Sequence, residues 1–257
     1  MNFSFDIHEI QSGSGQDYAV GGLLSEGVFG GVFDGHGTSK VINFIRGLNM
    51  AEIAQNISPI RNIYEAVKGS GDTTRSGSTA TFVKITKEFV QVWHAGDSVV
   101  QVFIDGVNAY TSTSHTFNDP KEVARTRHLM ASIDPVKAPF PITPTCIGYE
   151  VSPIGHYLTG ESLVPSMSLG HNDMTEMAPY LHEIPIKPTS TVRVVCVSDG
   201  VSDMLVDLSK GTAADITTEA LRRWRQPWDL TDGRYTWKNQ SFPTYDDVSC
   251  AICEYKP

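Results

Sequence analysis

The sequence has few cysteines, few basic residues and no long apolar run, and each shortage argues against a class of protein. Only 4 of its 257 residues are cysteine, too few for a disulfide framework in a chain of this length. The 20 basic residues are outnumbered by 29 acidic ones, which argues against nucleic acid as a partner because phosphate binding needs clustered Lys and Arg. No stretch approaches the roughly 18 apolar residues of a membrane-spanning helix. The first residues also lack the basic and apolar regions of a signal peptide.

The four cysteines include one closely spaced pair, Cys250 and Cys253. The surrounding letters, DVSCAICEY, are typical of a strand, in which residues three apart point to opposite faces. No second pair of this kind complements them. We therefore predict buried structural thiols and not a zinc or redox site. This favours a reducing compartment, the cytoplasm or alternatively the nucleus, and we expect no membrane partner.

The composition favours one large domain over residues 1–257, because 40% of the chain is hydrophobic and a single core can still grow at this size. Strand patterns such as FVQVWHAG and STVRVVCVSDG come in hairpin-like runs. Helical patterns lie between them in pairs, over residues 39–57 and 58–69. The second pattern has Ser58 as its predicted N-cap, Pro59 at its first position and Gly69 at its end. This order predicts an α+β fold of antiparallel sheets with helices on their outer faces.

Acidic residues stand at the polar ends of apolar strand patterns. They are Asp17, Asp34, Asp97, Asp199 and Asp246. Any one of them is ordinary, because Asp is a common turn residue. If several of these strand ends meet at one rim, however, the crowded carboxylates must take up protons or bind cations. Oxygen ligands without a Cys or His cluster favour Mg²⁺ or Mn²⁺ over Zn²⁺.

Motifs in a fixed order make the sequence recognisable. It resembles the metal-dependent protein phosphatases of type 2C, which remove phosphate from serine and threonine. The segments that carry the resemblance span nearly the whole chain: GQDY (15–18), VFDGHGTS (32–39), TRSGSTATFV (74–83), HAGDSVVQVF (94–103), the weaker LVPSMSLGH (163–171), VVCVSDGVSDML (194–205) and YDDVSCAI (245–252).

The resemblance implies a four-layer αββα sandwich, in which two antiparallel β-sheets are flanked by helix pairs, with a two-metal centre at one end. By motif position, Asp34 would bridge both Mn²⁺ or Mg²⁺ ions, and the carbonyl of Gly35 would bind one of them. Asp199 and Asp246 would hold one ion directly. Asp17 would bind directly or through water.

Two further aspartates, Asp97 and Asp203, match the family's positions for a third, weaker metal ion. At the last motif, Asp246 is preferred to Asp247 as the ligand. The family pattern there is Asp, Asn, an apolar residue and then Thr or Ser, and the residues after Asp247 set that register.

His36 lies two residues beyond Asp34 and is the predicted catalytic residue. The serine or threonine alkoxide is a poor leaving group and needs a proton, and histidine suits the role of general acid because it titrates near neutral pH. The other histidines, among them His94, His128 and His171, are interpreted as structural.

Several positions depart from the family pattern, whereas the predicted metal ligands are retained. The departing positions are Ser12 and Val99, where the family has arginine, Gln16 before Asp17, and Met167 and His171 in the weak segment. The departure at Ser12 removes the arginine that binds the substrate phosphate in the family. Arg75 and Lys40 are the candidates to compensate for the missing arginines.

Three functions stay open at this point. The first is a phosphatase acting on phosphoserine and phosphothreonine in a phosphoprotein substrate, expected to be a monomer. The second is a phosphatase-like binding module with little turnover, and the third a metal-dependent phosphoesterase of small molecules. Specificity is expected to reside in surface loops, with the proline-rich region 134–165 as a predicted flap.

Overall fold

Two large antiparallel sheets with helices on their outer faces form the protein, as the sequence predicts. The computed structural model describes residues 2–116, 119–122, 124–125, 165–173, 175, 177, 180–226, 229–231, 236–238 and 245–257. Apart from Pro165, the region predicted to form a flap lies outside these residues. Within the described ranges, no helix is long and apolar enough to cross a bilayer.

The first sheet has five strands in the order β1-β14-β11-β7-β8. Its strands are β1 (Asn2–Ile10), β7 (Val99–Ile104), β8 (Val107–Thr111), β11 (Val192–Val197) and β14 (Val248–Lys256). The second sheet has seven strands, in the order β10-β6-β5-β3-β4-β9 with β2 paired to β3. Its strands are β2 (Asp17–Leu24), β3 (Gly27–Gly37), β4 (Ser76–Ser78), β5 (Ala80–Ile85), β6 (Phe89–Ala95), β9 (Leu169–Gly170) and β10 (Tyr180–Pro185). A separate two-stranded pair consists of β12 (Asp229–Thr231) and β13 (Thr236–Lys238).

Helices cover the outer face of each sheet. Those described are α1 (Lys40–Arg46), α2 (Met50–Ile53), α3 (Pro59–Gly69), α4 (Asp199–Ser202) and α5 (Ala213–Trp224). The first three contact the seven-stranded sheet, and the last two contact the five-stranded sheet. The order of layers is therefore helix, sheet, sheet, helix.

The predicted helical pattern over residues 39–57 is divided into two helices. Gly47 ends α1, and the side chain of Asn49 then caps α2 by accepting a hydrogen bond from the backbone N–H of Glu52. An N-cap of this kind satisfies an N–H that has no partner inside its own helix, so it favours a new start over continuation. The predicted bounds of α3 are confirmed, with Pro59 in its first turn and Gly69 as its last residue.

Apolar side chains from both sheets fill the space between them. Val32 and Val83 of one sheet meet Val102 and Val194 of the other, and all four are fully buried. Cys253 also lies between the sheets, whereas Cys250 faces the helix side of its sheet. Both thiols are free and buried, which confirms the prediction of structural cysteines.

Candidate metal centre

Two of the predicted ligands lie side by side on the seven-stranded sheet. Asp17 at the start of β2 pairs with Asp34 near the end of β3, and directly paired residues project from the same face of a sheet. The N–H of Gly35 donates to the carbonyl of Gln16 across 3.0 Å. A Cβ atom at Gly35 would lie 2.8 Å from that carbonyl oxygen, so this close approach requires glycine.

Two more predicted ligands meet on the five-stranded sheet. Asp199 begins α4 directly after β11, and Asp246 lies just before β14, the neighbouring strand. The two segments approach each other closely at Gly200. A Cβ atom added there would lie 2.1 Å from the carbonyl oxygen of Asp247 and 3.1 Å from Cβ of Asp246. The small residue beside Asp199 therefore lets the two segments touch.

Hydroxyl groups connect Asp34 to the turn that carries Asp97. The N–H of Asp34 donates to Oγ1 of Thr79 across 3.1 Å, and the N–H of Thr79 donates to the carbonyl of Asp34 across 2.8 Å. Oγ1 of Thr79 also lies 2.7 Å from Oγ of Ser98, the residue after Asp97. Asp203 lies one turn beyond Asp199, and its N–H donates to the carbonyl of Asp199. We call the six residues Asp17, Asp34, Asp97, Asp199, Asp203 and Asp246 the acidic cluster.

The two ligands on the seven-stranded sheet have strongly raised pKa values. Burial is the largest cause for both. The negative charges of Asp199 and Asp17 raise the pKa of Asp34 further. The nearby hydroxyl groups of Ser198 and Ser249 oppose the shift at Asp17, because hydroxyl donors beside a carboxylate favour its ionised form.

Asp97 and Asp246 behave in the same way. Loss of hydration, followed by the charge of Asp199, raises the pKa of Asp97 to about 8 and that of Asp246 to about 7. Asp203 contributes to the shift at Asp97. Asp199 thus interacts electrostatically with four other members of the acidic cluster.

The donor set of the acidic cluster fits a hard divalent cation. In the part of the chain that the structure describes, no three His, Cys, Asp or Glu side chains are arranged as a ready-made metal cage. The described residues nevertheless leave Oδ2 of Asp17 buried without a hydrogen-bond partner. Asp34 and Asp199 come within hydrogen-bonding reach of each other, and neighbouring carboxyl groups must share a proton or a cation. Carboxylate oxygens are the ligands that Mg²⁺ and Mn²⁺ prefer.

Asp247, which the sequence analysis set aside, has a different role. Its carboxylate accepts hydrogen bonds from the N–H of Ser12, from Oγ of Ser14 across 2.8 Å and from the N–H of Gln16 across 2.6 Å. Burial opposes ionisation, but these hydrogen bonds outweigh it and lower the pKa of Asp247. We call residues 12–16 the anchored loop. It leads directly into Asp17, so Asp247 holds one end of the acidic cluster in place.

His36 lies at the same end of β3, and the residue is half-buried. Among the described residues its Nε2 atom is buried without a hydrogen-bond partner. The ring stacks on that of His171, with centroids 4.9 Å apart and planes inclined by 25°. Burial and His171 lower the pKa of His36 to about 3, although the backbone of Asp34 opposes this. In this state the imidazole of His36 is neutral at pH 7.

The candidates for phosphate recognition flank the end of β3. The ammonium group of Lys40 donates to the carbonyl of Asp72. Arg75 is exposed, and its carbonyl accepts a hydrogen bond of 2.8 Å from the N–H of Thr38. Both residues therefore lie close to the Asp-Gly-His-Gly segment at the end of β3. That Lys40 or Arg75 binds the substrate phosphate stays a prediction.

Sequence reasoning missed a third cation, Arg46. Its guanidinium group donates to the carbonyl of Asp17 across 2.5 Å and to that of Gly15 across 3.1 Å. In the sequence, Arg46 looks like an ordinary residue in the last turn of a helix. Because these contacts join positions about 30 apart in the chain, no local signal could have revealed them.

Comparison with known proteins identifies the family of the chain. The family model described as Protein phosphatase 2C matches residues 5–235. The chain therefore belongs to the protein phosphatase 2C family. The comparison with curated proteins found no match.

Solved structures share the fold at low sequence identity. A sex-determining protein of C. elegans is 18% identical with a TM-score of 0.67, and the match covers 100% of this chain but only 65% of that chain. A serine/threonine phosphatase 2C of Toxoplasma gondii is 14% identical with a TM-score of 0.62, over 99% of this chain and 95% of the other. The catalytic domain of the serine/threonine protein phosphatase PstP of Mycobacterium tuberculosis, solved with two manganese ions, is 16% identical with a TM-score of 0.55, over 99% of each chain.

Proposed function

We propose that the protein hydrolyses phosphoserine and phosphothreonine in proteins with the help of two Mn²⁺ or Mg²⁺ ions. The observation that carries this proposal is the acidic cluster, in which carboxylates from the ends of both sheets converge and raise one another's pKa values. Membership of the family supports it. So do the two manganese ions in a related phosphatase.

In this proposal the residues have distinct tasks. The two ions would be held by Asp34, the carbonyl of Gly35, Asp199, Asp246 and Asp17. Asp97 and Asp203 would hold a third ion. When bound, the pair of ions supplies positive charge that offsets the charge developing on the phosphoryl group and acidifies the attacking water.

The task proposed for His36 is to protonate the leaving serine or threonine oxygen. A neutral imidazole is a poor proton donor, so His36 must gain a proton when substrate binds. A phosphate dianion beside the ring would favour this, because a nearby negative charge raises the pKa of histidine. A general acid typically contributes about 10²–10⁴-fold to the rate.

The test is hydrolysis of a phosphothreonine peptide with Mn²⁺, with Mg²⁺ and with EDTA. Wild-type protein should turn over with either metal ion and stop in EDTA. Asp34→Ala should remove activity, whereas His36→Ala should reduce it while manganese binding, measured by calorimetry, persists. Folded protein that binds manganese but releases no phosphate from any peptide would overturn the proposal.

The second candidate is a phosphatase-like binding module with little turnover. The observation that favours it is that the position of the family's phosphate-binding arginine is occupied by Ser12, whose backbone is tied to Asp247. Tight binding of the intact phosphopeptide without hydrolysis would support this module. Hydrolysis of small phosphate esters but of no phosphopeptide would instead support the small-molecule phosphoesterase.

A further inference from the structure

A left-handed turn follows β9 and is unusual in length. Gly170, His171, Asn172 and Asp173 have φ angles of 86°, 50°, 49° and 65°. Residues other than glycine pay about 1–2 kcal/mol each for this conformation, so three in succession persist only where the surroundings hold them.

The side chains of the last two turn residues supply that restraint. Asn172 accepts a hydrogen bond of 2.7 Å from the N–H of Thr73 and donates one of 2.9 Å to Asp72. Asp173 accepts from the hydroxyl of Tyr64 and the ammonium of Lys68, each across 2.7 Å. The turn is thus fastened both to α3 and to the segment before β4.

The restrained turn places the imidazole of His171 at the candidate site. His171 is only 4% exposed, and its ring stacks on that of His36. Its Nδ1 atom lies 3.0 Å from the carbonyl oxygen of Thr74. A carbonyl only accepts, so Nδ1 carries the proton of this hydrogen bond, and the bond sets the plane of the His171 ring.

The opposing wall of the two imidazoles is Gly77 of β4, which pairs with His36. A Cβ atom at Gly77 would lie 2.3 Å from Nε2 of His171 and 2.6 Å from Nε2 of His36. Both rings therefore occupy space that any side chain at this position would fill. Their mutual arrangement is set by the strand on one side and by the left-handed turn on the other.

We propose that His171 is a positioning residue for His36, which it holds in one ring orientation by stacking. This rests on the proposed function, because it assumes that His36 transfers the proton. The reason is geometric: the ring of His36 is held at one side by the backbone of Asp34, but its Nε2 atom has no hydrogen bond within the described residues. Stacking on His171 is therefore the contact that restrains the Nε2 side of the ring. A general acid works only when its N–H points at the leaving oxygen.

His171→Asn is the variant that tests this. Asparagine tolerates a positive φ, and its amide can keep a hydrogen bond to the carbonyl of Thr74, but it offers no ring to His36. For a phosphothreonine peptide we expect kcat to fall about tenfold with little change in KM. For 4-nitrophenyl phosphate, whose leaving group needs no proton, we expect less than about a twofold fall.

Two comparisons separate positioning from general damage. The double variant with His36→Asn should be no slower on the peptide than His36→Asn alone, because both changes remove one function. His182→Asn is the matched control, since it removes a ring that stacks on Tyr110 with centroids 4.3 Å apart, outside the candidate site. His182→Asn should leave the rate of hydrolysis of both substrates unchanged. Equal losses on both substrates for His171→Asn would overturn the proposal.

A second readout does not depend on turnover. In the metal-free protein, the ring ¹⁵N and ¹H NMR signals of His36, assigned by their loss in His36→Asn, should be sharp in wild type and broadened in His171→Asn. Unchanged His36 signals in His171→Asn would refute positioning. If wild-type protein hydrolyses no phosphate ester, the proposed function fails, while these signals still decide whether His171 orients His36.

Discussion

Asp246 and Asp247 are neighbours in the chain, yet their carboxyl groups lie in opposite environments. Asp246 faces the acidic cluster, where loss of hydration and the charge of Asp199 raise its pKa to about 7. Asp247 faces the anchored loop, where hydrogen bonds from Ser12, Gln16 and Ser14 lower its pKa. The two residues differ in the number of hydrogen-bond donors around the carboxylate, and not in their motif. A carboxylate with few donors is suited to binding a cation, whereas one with several donors holds a loop in place.

Removing a central carboxylate of the acidic cluster should have the largest effect. We expect Asp199→Asn to lower metal-dependent phosphatase activity at least about a hundredfold, because this residue interacts with four other members of the cluster. The protein should stay folded by circular dichroism. Asp207→Asn, which changes an exposed carboxylate bonded to the N–H of Ser209, is the control. Wild-type rates in Asp199→Asn with manganese bound would show that the site is wrongly assigned.

Metal ions should stabilise the folded protein by binding to the acidic cluster, whose carboxylates have few hydrogen-bond donors. At a free Mn²⁺ concentration of 100 times the dissociation constant, the free energy of unfolding should rise by about 2.7 kcal/mol. Urea denaturation with Mn²⁺ and with EDTA measures this. Asp34→Asn should lose most of the gain, whereas Asp247→Asn should keep most of it. An equal gain in Asp34→Asn would place the ions elsewhere.

In EDTA, the contributions of the two neighbouring aspartates to the free energy of unfolding should change in opposite directions with pH. The folded pKa of Asp247 is lowered, so its stabilisation is present above the unfolded pKa and is lost as pH falls through the folded pKa. Asp247→Asn should therefore cost about 1–3 kcal/mol of unfolding free energy at pH 7 and much less near the acid limit. A cost that is constant with pH would contradict the hydrogen-bonded carboxylate.

The folded pKa of Asp246 is raised instead. Its contribution is fully present below the unfolded pKa of about 4 and is lost as pH rises through about 7. Wild-type protein in EDTA should lose stability over this window, and Asp246→Asn should lose less. Urea denaturation across the same pH series tests both variants, and identical pH profiles for wild type and Asp246→Asn would count against the raised pKa.

The smallest expected effect concerns the anchored loop itself. Ser12→Arg restores the residue type that the family has at this position, while the backbone N–H of Ser12 can still bond to Asp247. We expect KM for a phosphothreonine peptide to fall a few-fold with kcat unchanged, because arginine binds phosphate in a bidentate manner. Ser12→Gln, similar in length but uncharged, is the control. No change in KM would mean that the loop does not face the substrate.

Much of the fold was predictable because its signals are local. Nearly continuous apolar runs predicted β11 and β14, and Ser58, Pro59 and Gly69 predicted the bounds of α3, which the structure confirms. The side chain of Ser58, however, makes no capping hydrogen bond. The prediction over residues 39–57 missed the break before α2, since the capping bond of Asn49 competes with continuation of the helix. The strand-end aspartates were also predictable, because apolar runs stop where a carboxylate must stay hydrated or bind a cation.

The layered α+β fold, the buried thiols and the residues of the acidic cluster could all be predicted from the sequence alone. Hydrophobic periodicity and motif order are properties of the chain, so they can be read along it. Three contacts become visible only in the folded protein: Asp247 anchors residues 12–16, Arg46 binds the carbonyl of Asp17, and the rings of His36 and His171 stack. These contacts join residues far apart in the chain, and their energies depend on burial and direction, which exist only after the sheets have packed.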